Sequence, residues 1–573
     1  MERFHPASLV ELHWTHADDH NRKTSTESEK DIGQASSSGL ILHHPYGCLI
    51  THASVLAPYL VEFPLHKDAI RSSKCASHIQ TLPIKVTVSA QLCQNNSAVK
   101  LGDGLFNSLS NEHASKNKQN EHRKNCTPLL NCTQAGTNEK SDEKSMDIFN
   151  GKLISMFKVD SFAKAMEKLM PQDEGWTTHN TIEDEADSQQ NNQDKENMSF
   201  LLPYFVLIKL QMPKNRIIPY EIYPSKSLSV GCSVAIVGTP FASLCPEIFM
   251  NSYSQGVVSN TAGVNNSLLL TDARCIPGSE GGAVCLPQRN SISIAGLVVA
   301  PLCWKQNEWI GLSIACSLSE IMDALHNVLG GVKLTKVKTG TQFKPKDSLT
   351  ASARRVVLVR CGVTWGSGIV IGQNLVLTCS HILKGKREVT VSVRVDYPKR
   401  QWLPADVRYA TPAQQVLDIA VLRLKEPVVD PTVTPVVVEN HPTAGQEVTV
   451  VGHALFNTSK QMAPSWSTGT ISKVVTYNDV PVMLQTTCLV NSGASGGPVL
   501  STEGKLVGMV TCNARDQVNH ASFPHVNLAV PMTTIWPVLQ HFINTGDEEV
   551  LAQLHIQNEV VKKLWQQDIK SRL

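Results

Sequence analysis

The sequence predicts a mainly β protein built from two tandem double barrels of antiparallel strands. Two observations predict this fold. Apolar runs of β-type residues alternate with glycine-rich turns, and the pattern of the first half recurs in the second. At 573 residues the chain is also too long for a single hydrophobic core, so at least two domains are expected.

The internal repeat keeps its segments in the same order in both halves. The corresponding pairs are 49–56 with 376–383, 205–210 with 419–424, 231–241 with 445–456, 254–259 with 467–472, and 275–300 with 489–511. Each half is therefore expected to fold as one double barrel.

Three segments of the second half contain residues typical of nucleophilic catalysis. A β-type run ends at His381, another begins at Asp418, and Ser495 lies in the tight turn Gly-Ala-Ser-Gly-Gly-Pro at 493–498. Such a turn exposes a hydroxyl and directs backbone N–H groups to one point, as acyl transfer requires. A carboxylate that enters an apolar strand needs a hydrogen-bond partner, and an imidazole N–H is suitable.

The order His, Asp, Ser is that of the chymotrypsin class, and residues 351–545 resemble the Deg/HtrA branch of chymotrypsin-fold serine proteases. The resemblance rests on four motifs, which are TCSH at 378–381, DIAVL at 418–422, NSGASGGPVL at 491–500 and VNLAVP at 526–531. It implies that His381 is the base, Asp418 orients it and Ser495 is the nucleophile. It also implies an oxyanion hole formed by the backbone N–H groups of Gly493 and Ser495.

The same resemblance implies a specificity pocket that involves Leu489 and Asn527. Leu489 stands six positions before the nucleophile, where trypsins have an acid, so nothing there favours cleavage after Lys or Arg. Asn527 lies in the motif that resembles the wall of the substrate cleft. Ala494 replaces the acid that orders the cleft in trypsins, which leaves the mode of activation open.

The first half keeps the glycines of the serine turn but not the catalytic groups. In the register of the repeat, Glu280 stands at the serine position, Ser54 at the histidine position and Tyr204 at the aspartate position. Ser279 and His52 lie nearby, but an offset of one or two residues moves a strand side chain to another face or depth. The first half is therefore predicted to be a degenerate protease-like domain without activity.

The last three residues, Ser571, Arg572 and Leu573, match the small–basic–Leu pattern of a peroxisomal address, which an import receptor reads. A helix-like run over 547–570 precedes them, with acids first and lysines later, as the helix dipole favours. With the Deg-like domain, this tripeptide resembles the peroxisomal leader peptide-processing proteases and their plant glyoxysomal counterparts. The resemblance implies an endopeptidase of the peroxisomal matrix that removes leaders from imported enzyme precursors. It also implies trimming of some β-oxidation enzymes, often next to a cysteine.

The domain organisation follows from the repeat and from changes in composition. A polar segment at 107–198 interrupts the degenerate domain and is expected to be largely disordered, with a short helix within 148–169. Such an insert is a candidate autoprocessing site, and it contains Cys126 and Cys132. The predicted parts are 1–106 and 199–331 for the degenerate domain, 332–350 for a linker, 351–545 for the protease domain, and 546–573 for the C-terminal helix and tripeptide.

Composition excludes several other classes of function. The 52 Lys and Arg nearly balance the 50 Asp and Glu, so neither nucleic acid nor an anionic membrane is expected as a partner. No apolar run is long enough for a membrane span, and no HExxH or CxxC spacing indicates a metal, so neither a metal nor another cofactor is expected. Fifteen cysteines without a regular framework suggest free thiols.

The oligomeric state stays open, a homo-oligomer included. The alternative function is a catalytically idle scaffold or peptide-binding chaperone on the protease fold.

Overall fold

The computed structural model confirms the mainly β fold class, with two double barrels in tandem. It describes residues 7–15, 32–42, 47–62, 84–89, 146–178, 198–211, 220–241, 244–287, 292–306, 308–329, 343–383, 390–412, 415–428, 435–456, 458–515 and 522–566. The C-terminal tripeptide and the two cysteines of the polar insert lie outside these residues.

The first barrel is closed by six antiparallel strands in the order β1-β2-β3-β7-β5-β4. Its interior is lined by alternate apolar residues of these strands, as period-two patterning requires. The strands are β1 Ala7–Thr15, β2 Ile32–Leu42, β3 Cys48–His52, β4 Ile84–Ser89, β5 Met146–Lys158 and β7 Tyr204–Leu210.

The second barrel of the first half is a ring of strands in the order β12-β9-β10-β11-β16-β13, in which β13 also pairs with β12 and with the short parallel strand β8. A separate sheet, β15-β14-β6, lies beside it. The strands are β6 Trp176–Thr178, β8 Tyr220–Ile222, β9 Ser233–Gly238, β10 Ser252–Ala262, β11 Leu268–Thr271, β12 Ala283–Pro287, β13 Ile292–Ala300, β14 Cys303–Lys305, β15 Glu308–Trp309 and β16 Ser313–Ser317.

The second half forms two closed six-stranded barrels, β17-β18-β19-β22-β21-β20 and β23-β24-β25-β28-β27-β26. The segments that contain His381, Asp418 and Ser495 lie where strands of these two barrels end or turn. The strands are β17 Val356–Cys361, β18 Thr364–Val370, β19 Leu375–Thr378, β20 Val391–Val395, β21 Gln401–Ala410, β22 Ala420–Leu424, β23 Glu447–Gly452, β24 Ser465–Tyr477, β25 Val480–Thr486, β26 Pro498–Ser501, β27 Leu506–Arg515 and β28 Ser522–Pro531.

The described α-helices pack on the outside of the barrels. They are α1 Ala57–Glu62, α2 Asp160–Leu169, α3 Pro246–Phe249, α4 Leu318–Val328, α5 Asp347–Ala353, α6 Met532–Thr545 and α7 Glu559–Gln566. None of the helices that the structure describes is long and apolar enough to cross a lipid bilayer. The described cysteines are all free thiols.

The C-terminal run differs from the single helix that its pattern predicts. The structure has a 3₁₀ segment, Glu549–Leu554, and then α7. Asn558 separates them because its side-chain oxygen accepts the N–H groups of Val560 and Val561, 2.9 and 3.1 Å away, which starts a new helix. Trp565 holds α7 on the last barrel by donating its indole N–H to the Val482 carbonyl at 3.0 Å.

The polar insert also differs from the expectation, because its residues 146–178 are folded. They form β5, α2 and β6, and β5 buries Leu153 and Phe157 inside the first half. The abundance of polar residues concealed this apolar alternation. The insert therefore lies between strands β4 and β7 of one barrel, to which it contributes β5, rather than separating the two barrels of the domain.

The two halves pack against each other through corresponding strands, β10 and β24. At this contact, the buried carboxylate of Asp272 accepts the N–H groups of Val257 and Thr468, at 2.7 and 2.8 Å. Burial raises the pKa of Asp272 to about 6, although these hydrogen bonds lower it. The two halves are thus joined by a buried polar contact.

Candidate active site

His381 and Asp418 are brought together where two neighbouring strands of the third barrel meet. His381 lies in the short 3₁₀ segment Ser380–Leu383 after β19, and Asp418 lies just before β22. The Asp418 carboxylate pairs with Nδ1 of the His381 ring and accepts the His381 backbone N–H at 2.9 Å. A carboxylate on Nδ1 keeps the proton there and leaves Nε2 free to accept one.

The pKa of His381 lies above its ordinary value of 6.5. Burial is the largest single influence and lowers it, but the hydrogen bond and the charge of Asp418 together outweigh burial. The His381 side chain is 51% exposed, so substrate and solvent can reach the ring. The pair is thus arranged to stabilise an imidazolium ion when it forms.

Cys379 lies beneath this pair, and its sulfur, a His381 ring nitrogen and an Asp418 oxygen are within 4.8 Å of one another. These three residues are the ones that could hold a metal ion among those the structure describes. The thiol is fully buried, and burial raises its pKa well above 9.0. Burial thus disfavours the thiolate that metal binding requires.

Ser495 is held against the same strands by backbone bonds. Its carbonyl accepts the N–H of Ser367 at 2.8 Å, and the N–H of the next residue, Gly496, donates to the Val510 carbonyl at 2.8 Å. The Cys379 thiol donates to that same Val510 carbonyl at 3.4 Å. Val510 thus connects the serine turn to the segment that contains His381.

Two backbone N–H groups of the serine turn have no acceptor among the described residues, and they are those of Gly493 and Ser495. The intervening N–H, of Ala494, donates instead to the Asn491 carbonyl at 3.0 Å. Gly493 has a φ of +94°, and a Cβ there would lie 2.4 Å from the His453 carbonyl oxygen, so the turn requires glycine. The arrangement leaves two donors free beside the serine, as an oxyanion hole requires.

Among the described residues, the structure has no hydrogen bond between Ser495 Oγ and His381. The serine hydroxyl is half-buried and belongs to the second half's last barrel, whereas His381 belongs to the preceding one. Catalytic hydrogen bonds are often long in unliganded enzymes and tighten when substrate binds.

The two predicted pocket residues are both buried and already bonded. Leu489 packs towards the first half, where a Cβ on Gly311 would be 2.6 Å from its Cδ1. The Asn527 amide accepts the Thr486 hydroxyl at 2.6 Å and donates to the Cys488 carbonyl at 2.7 Å. Neither side chain places a charge in a pocket.

The serine turn of the first half has the same backbone bonds as that of the second. The Glu280 carbonyl accepts the Ser38 N–H at 2.9 Å, and the Gly281 N–H donates to the Val298 carbonyl at 2.8 Å. The difference is that Glu280 Oε2 accepts the N–H of Gly278 at 2.7 Å. In this half the carboxylate occupies the donor that corresponds to Gly493.

The other two catalytic positions of the first half agree with the register of the repeat. β3 pairs with β7 as β19 pairs with β22, which places Ser54 at the histidine position and Tyr204 at the aspartate position. The nearby His52 is fully buried, its Nδ1 accepts the Ser54 N–H at 3.2 Å, and burial lowers its pKa to about 4. His52 therefore caps a turn.

Sequence reasoning missed Ser367, which links the two barrels of the second half at the serine turn. Its hydroxyl donates to the Gly493 carbonyl and accepts the His453 backbone N–H, both at 2.8 Å. The triplet Gly366-Ser367-Gly368 was a signal that could have indicated a close approach of backbones.

Comparisons with known proteins agree with a serine protease. The family model of the trypsin-like peptidase domain matches residues 366–509. The peroxisomal leader peptide-processing protease of Homo sapiens is 31% identical over 560 residues, which are 94% of this chain and 94% of that protein. Its Mus musculus relative is 30% identical over 573 residues, again 94% of each chain.

More distant similarities cover about a third of this chain. The chloroplastic Protease Do-like 1 of Arabidopsis thaliana is 27% identical over 184 residues, which are 32% of this chain and 40% of that one. The solved structure of the HtrA-type protease AlgW with tripeptide covers 35% of this chain and 64% of that chain, at 18% identity and a TM-score of 0.28. The extent and identity of the human match show that this protein belongs to the family of peroxisomal leader peptide-processing proteases.

Proposed function

We propose that this serine endopeptidase removes targeting leaders from enzymes imported into the peroxisomal matrix, with Ser495 as its nucleophile. The observation that carries the proposal is the pair of free N–H groups, of Gly493 and Ser495, beside that hydroxyl. The first half of the chain, which has lost the serine, has also filled the corresponding donor with Glu280.

The proposed reaction gives every group of the site a role. Ser495 Oγ attacks the scissile carbonyl carbon as His381 Nε2 takes the hydroxyl proton, and Asp418 stabilises the imidazolium ion. The carbonyl oxygen becomes an oxyanion that accepts hydrogen bonds from the N–H groups of Gly493 and Ser495. His381 then protonates the leaving amine, and water releases the acyl group from Ser495 by the reverse steps.

The substrate class follows from the names of the human and mouse relatives, which are called leader peptide-processing proteases. Imported precursors, β-oxidation enzymes included, are the proposed substrates, and a receptor that binds the C-terminal tripeptide is the proposed route of import. Leu489 and Asn527 carry no charge, which supports cleavage next to an uncharged side chain such as cysteine.

Mass spectrometry of precursor proteins incubated with the purified enzyme tests this function. Leader-bearing peroxisomal enzymes are expected to lose an N-terminal segment with wild-type protein and to stay intact with Ser495→Ala. The new N-terminus identifies the cleaved bond and the preferred side chain together. Precursors that bind but stay intact with both proteins would favour the scaffold or chaperone alternative.

A further inference from the structure

We propose that the first half of the chain activates the protease of the second half, and that Lys305 is the positioning residue for its oxyanion hole. Lys305 holds the backbone of Leu455, and Leu455 holds the peptide that directs the Gly493 N–H. The inference rests on the proposed function of Ser495, and it assigns a role to the degenerate domain.

The oxyanion hole needs the Ser492–Gly493 peptide in one orientation, with the Gly493 N–H directed towards the substrate. The Ser492 carbonyl accepts the N–H of Leu455 at 2.8 Å. Because the peptide unit is planar and trans, its N–H points away from its carbonyl. The bond from Leu455 therefore keeps the Gly493 N–H directed away from Leu455 and free of any acceptor in the described chain. Rotation of this peptide would place a carbonyl oxygen where a donor is needed.

Leu455 donates this hydrogen bond while its own backbone is in an unfavourable conformation. Its φ of +68° lies in the left-handed region, which costs free energy for a residue that has a Cβ. Such a conformation persists only where surrounding contacts determine it. The question is therefore which contacts hold Leu455.

The contacts that hold Leu455 come from the first half. Lys305, at the end of β14, donates from Nζ to the Leu455 carbonyl at 2.9 Å. Its ammonium also lies 5.0 Å from the centre of the Trp176 ring, and Trp176 stacks on Phe456 with centroids 5.6 Å apart. The side chains of Leu455 and Phe456 are buried in the apolar cluster of the first half.

A second contact from the first half reaches the segment just before the serine turn. Asn491 donates from Nδ2 to the Ile310 carbonyl of the first half at 3.1 Å. Ala494, three residues after Asn491, has an uncharged side chain and cannot order the turn through an ion pair. The first half thus bonds two residues beside the serine turn, Leu455 and Asn491, in place of an ion pair within the turn.

The rate of covalent labelling by a fluorophosphonate tests this role on the full-length protein. The adduct on Ser495 places a phosphoryl oxygen in the oxyanion hole, so the rate depends on the Gly493 N–H. Lys305→Met removes the ammonium, and labelling is expected to slow at least about tenfold. With a fluorogenic peptide, kcat and kcat/KM are expected to fall together while KM stays constant, because only the transition state uses the hole.

Two variants separate positioning from general support of the interface. Lys460→Met is the matched control, because Lys460 joins the halves through Glu174 and the Lys168 carbonyl, both at 2.8 Å, without touching the serine turn. It is expected to label within about twofold of wild type. Lys305→Arg keeps a donor and is expected to retain most of the rate. If Lys305→Met does not fold, Lys305→Leu, which also lacks a donor, is measured in its place.

Labelling of wild type but not of Ser495→Ala establishes the underlying function in the same experiment. Given that result, equal rates for Lys305→Met and wild type would overturn the positioning role. So would equal slowing by Lys305→Met and Lys460→Met. Absence of labelling in wild type would instead overturn the function itself.

Discussion

Glu280 turns its carboxylate back onto the backbone N–H of Gly278, with 2.7 Å between Oε2 and the nitrogen. The corresponding residue of the second half is Ser495, and the corresponding donor, Gly493, has no acceptor in the described chain. The same turn thus occurs in both halves of the chain, but its anion site differs. In one form a side chain closes the anion site, and in the other the site is open beside a hydroxyl.

The buried carboxylate of Glu280 is expected to lower the stability of the protein when it is ionised. Burial, the largest influence, raises its pKa to about 7, and the folded state therefore binds more protons than the unfolded state between about pH 4.5 and about pH 7. The free energy of unfolding falls as pH rises through this window and stays lower above it. Glu280→Gln keeps an acceptor for Gly278 but cannot ionise, so it is expected to stabilise the protein by on the order of 2 kcal/mol at pH 8.

Thermal unfolding at pH 5 and pH 8 checks this prediction. The gain in Tm from Glu280→Gln is expected to be small at pH 5 and a few degrees at pH 8. Proteolysis is expected to be unchanged, because the hydrogen bonds of Glu280 go to Ser37, Ser38 and Gly278 of the first half and none reaches the serine turn of the second half among the described residues. A gain that is the same at both pH values would show that Glu280 does not ionise in this window.

The pH dependence of proteolysis is expected to follow His381. Only the neutral ring can accept the serine proton, and Asp418 holds the pKa of His381 above 6.5. The value of kcat/KM is therefore expected to rise with pH, with a midpoint above 6.5. In Asp418→Asn the midpoint is expected to fall below 6.5, because burial then acts alone, and the rate to fall about 10⁴-fold. A wild-type midpoint below 6.5 would contradict the pairing.

Self-cleavage is expected within 107–198, and the fragments are expected to stay together. A cut between β4 and β5 separates strands that pair directly, Ile84–Ser89 with residues 146–151, in one closed barrel. Neither fragment can bury its apolar strands alone. Sequencing of new N-termini, followed by size exclusion, measures both outcomes, and the bonds beside Cys126 and Cys132 are the first to examine. Fragments that elute apart, or equal nicking of Ser495→Ala, would refute the prediction.

Removal of Ser571, Arg572 and Leu573 is expected to leave the protein in the cytosol. A receptor-read address is not part of the active site, so the purified truncated enzyme is expected to keep its activity. Fluorescence microscopy in cells without a full-length copy measures the location. Import of the truncated protein into peroxisomes under that condition would disprove the address.

The sequence predicted what depends on short segments and on the repeat. The positions of His381, Asp418 and Ser495, and the loss of all three groups in the first half, could be inferred because each lies beside a recognisable β-type run. The bond from Lys305 to Leu455 could not, because it joins residues 150 positions apart and uses a backbone carbonyl that no motif marks. The strand β5 was missed for a related reason, since its partners lie in distant segments on either side of it.

Intact-mass and peptide mapping after fluorophosphonate treatment test the central claim most directly. The claim is that Ser495 is the nucleophile of an open oxyanion hole. It predicts one adduct per chain in the wild type, located on Ser495, and none in Ser495→Ala, with cleavage falling on the order of 10⁴-fold or more. Ser279→Ala, the same substitution in the turn of the first half, is expected to label like wild type. An adduct on any other residue, or an adduct that persists in Ser495→Ala, would contradict the account.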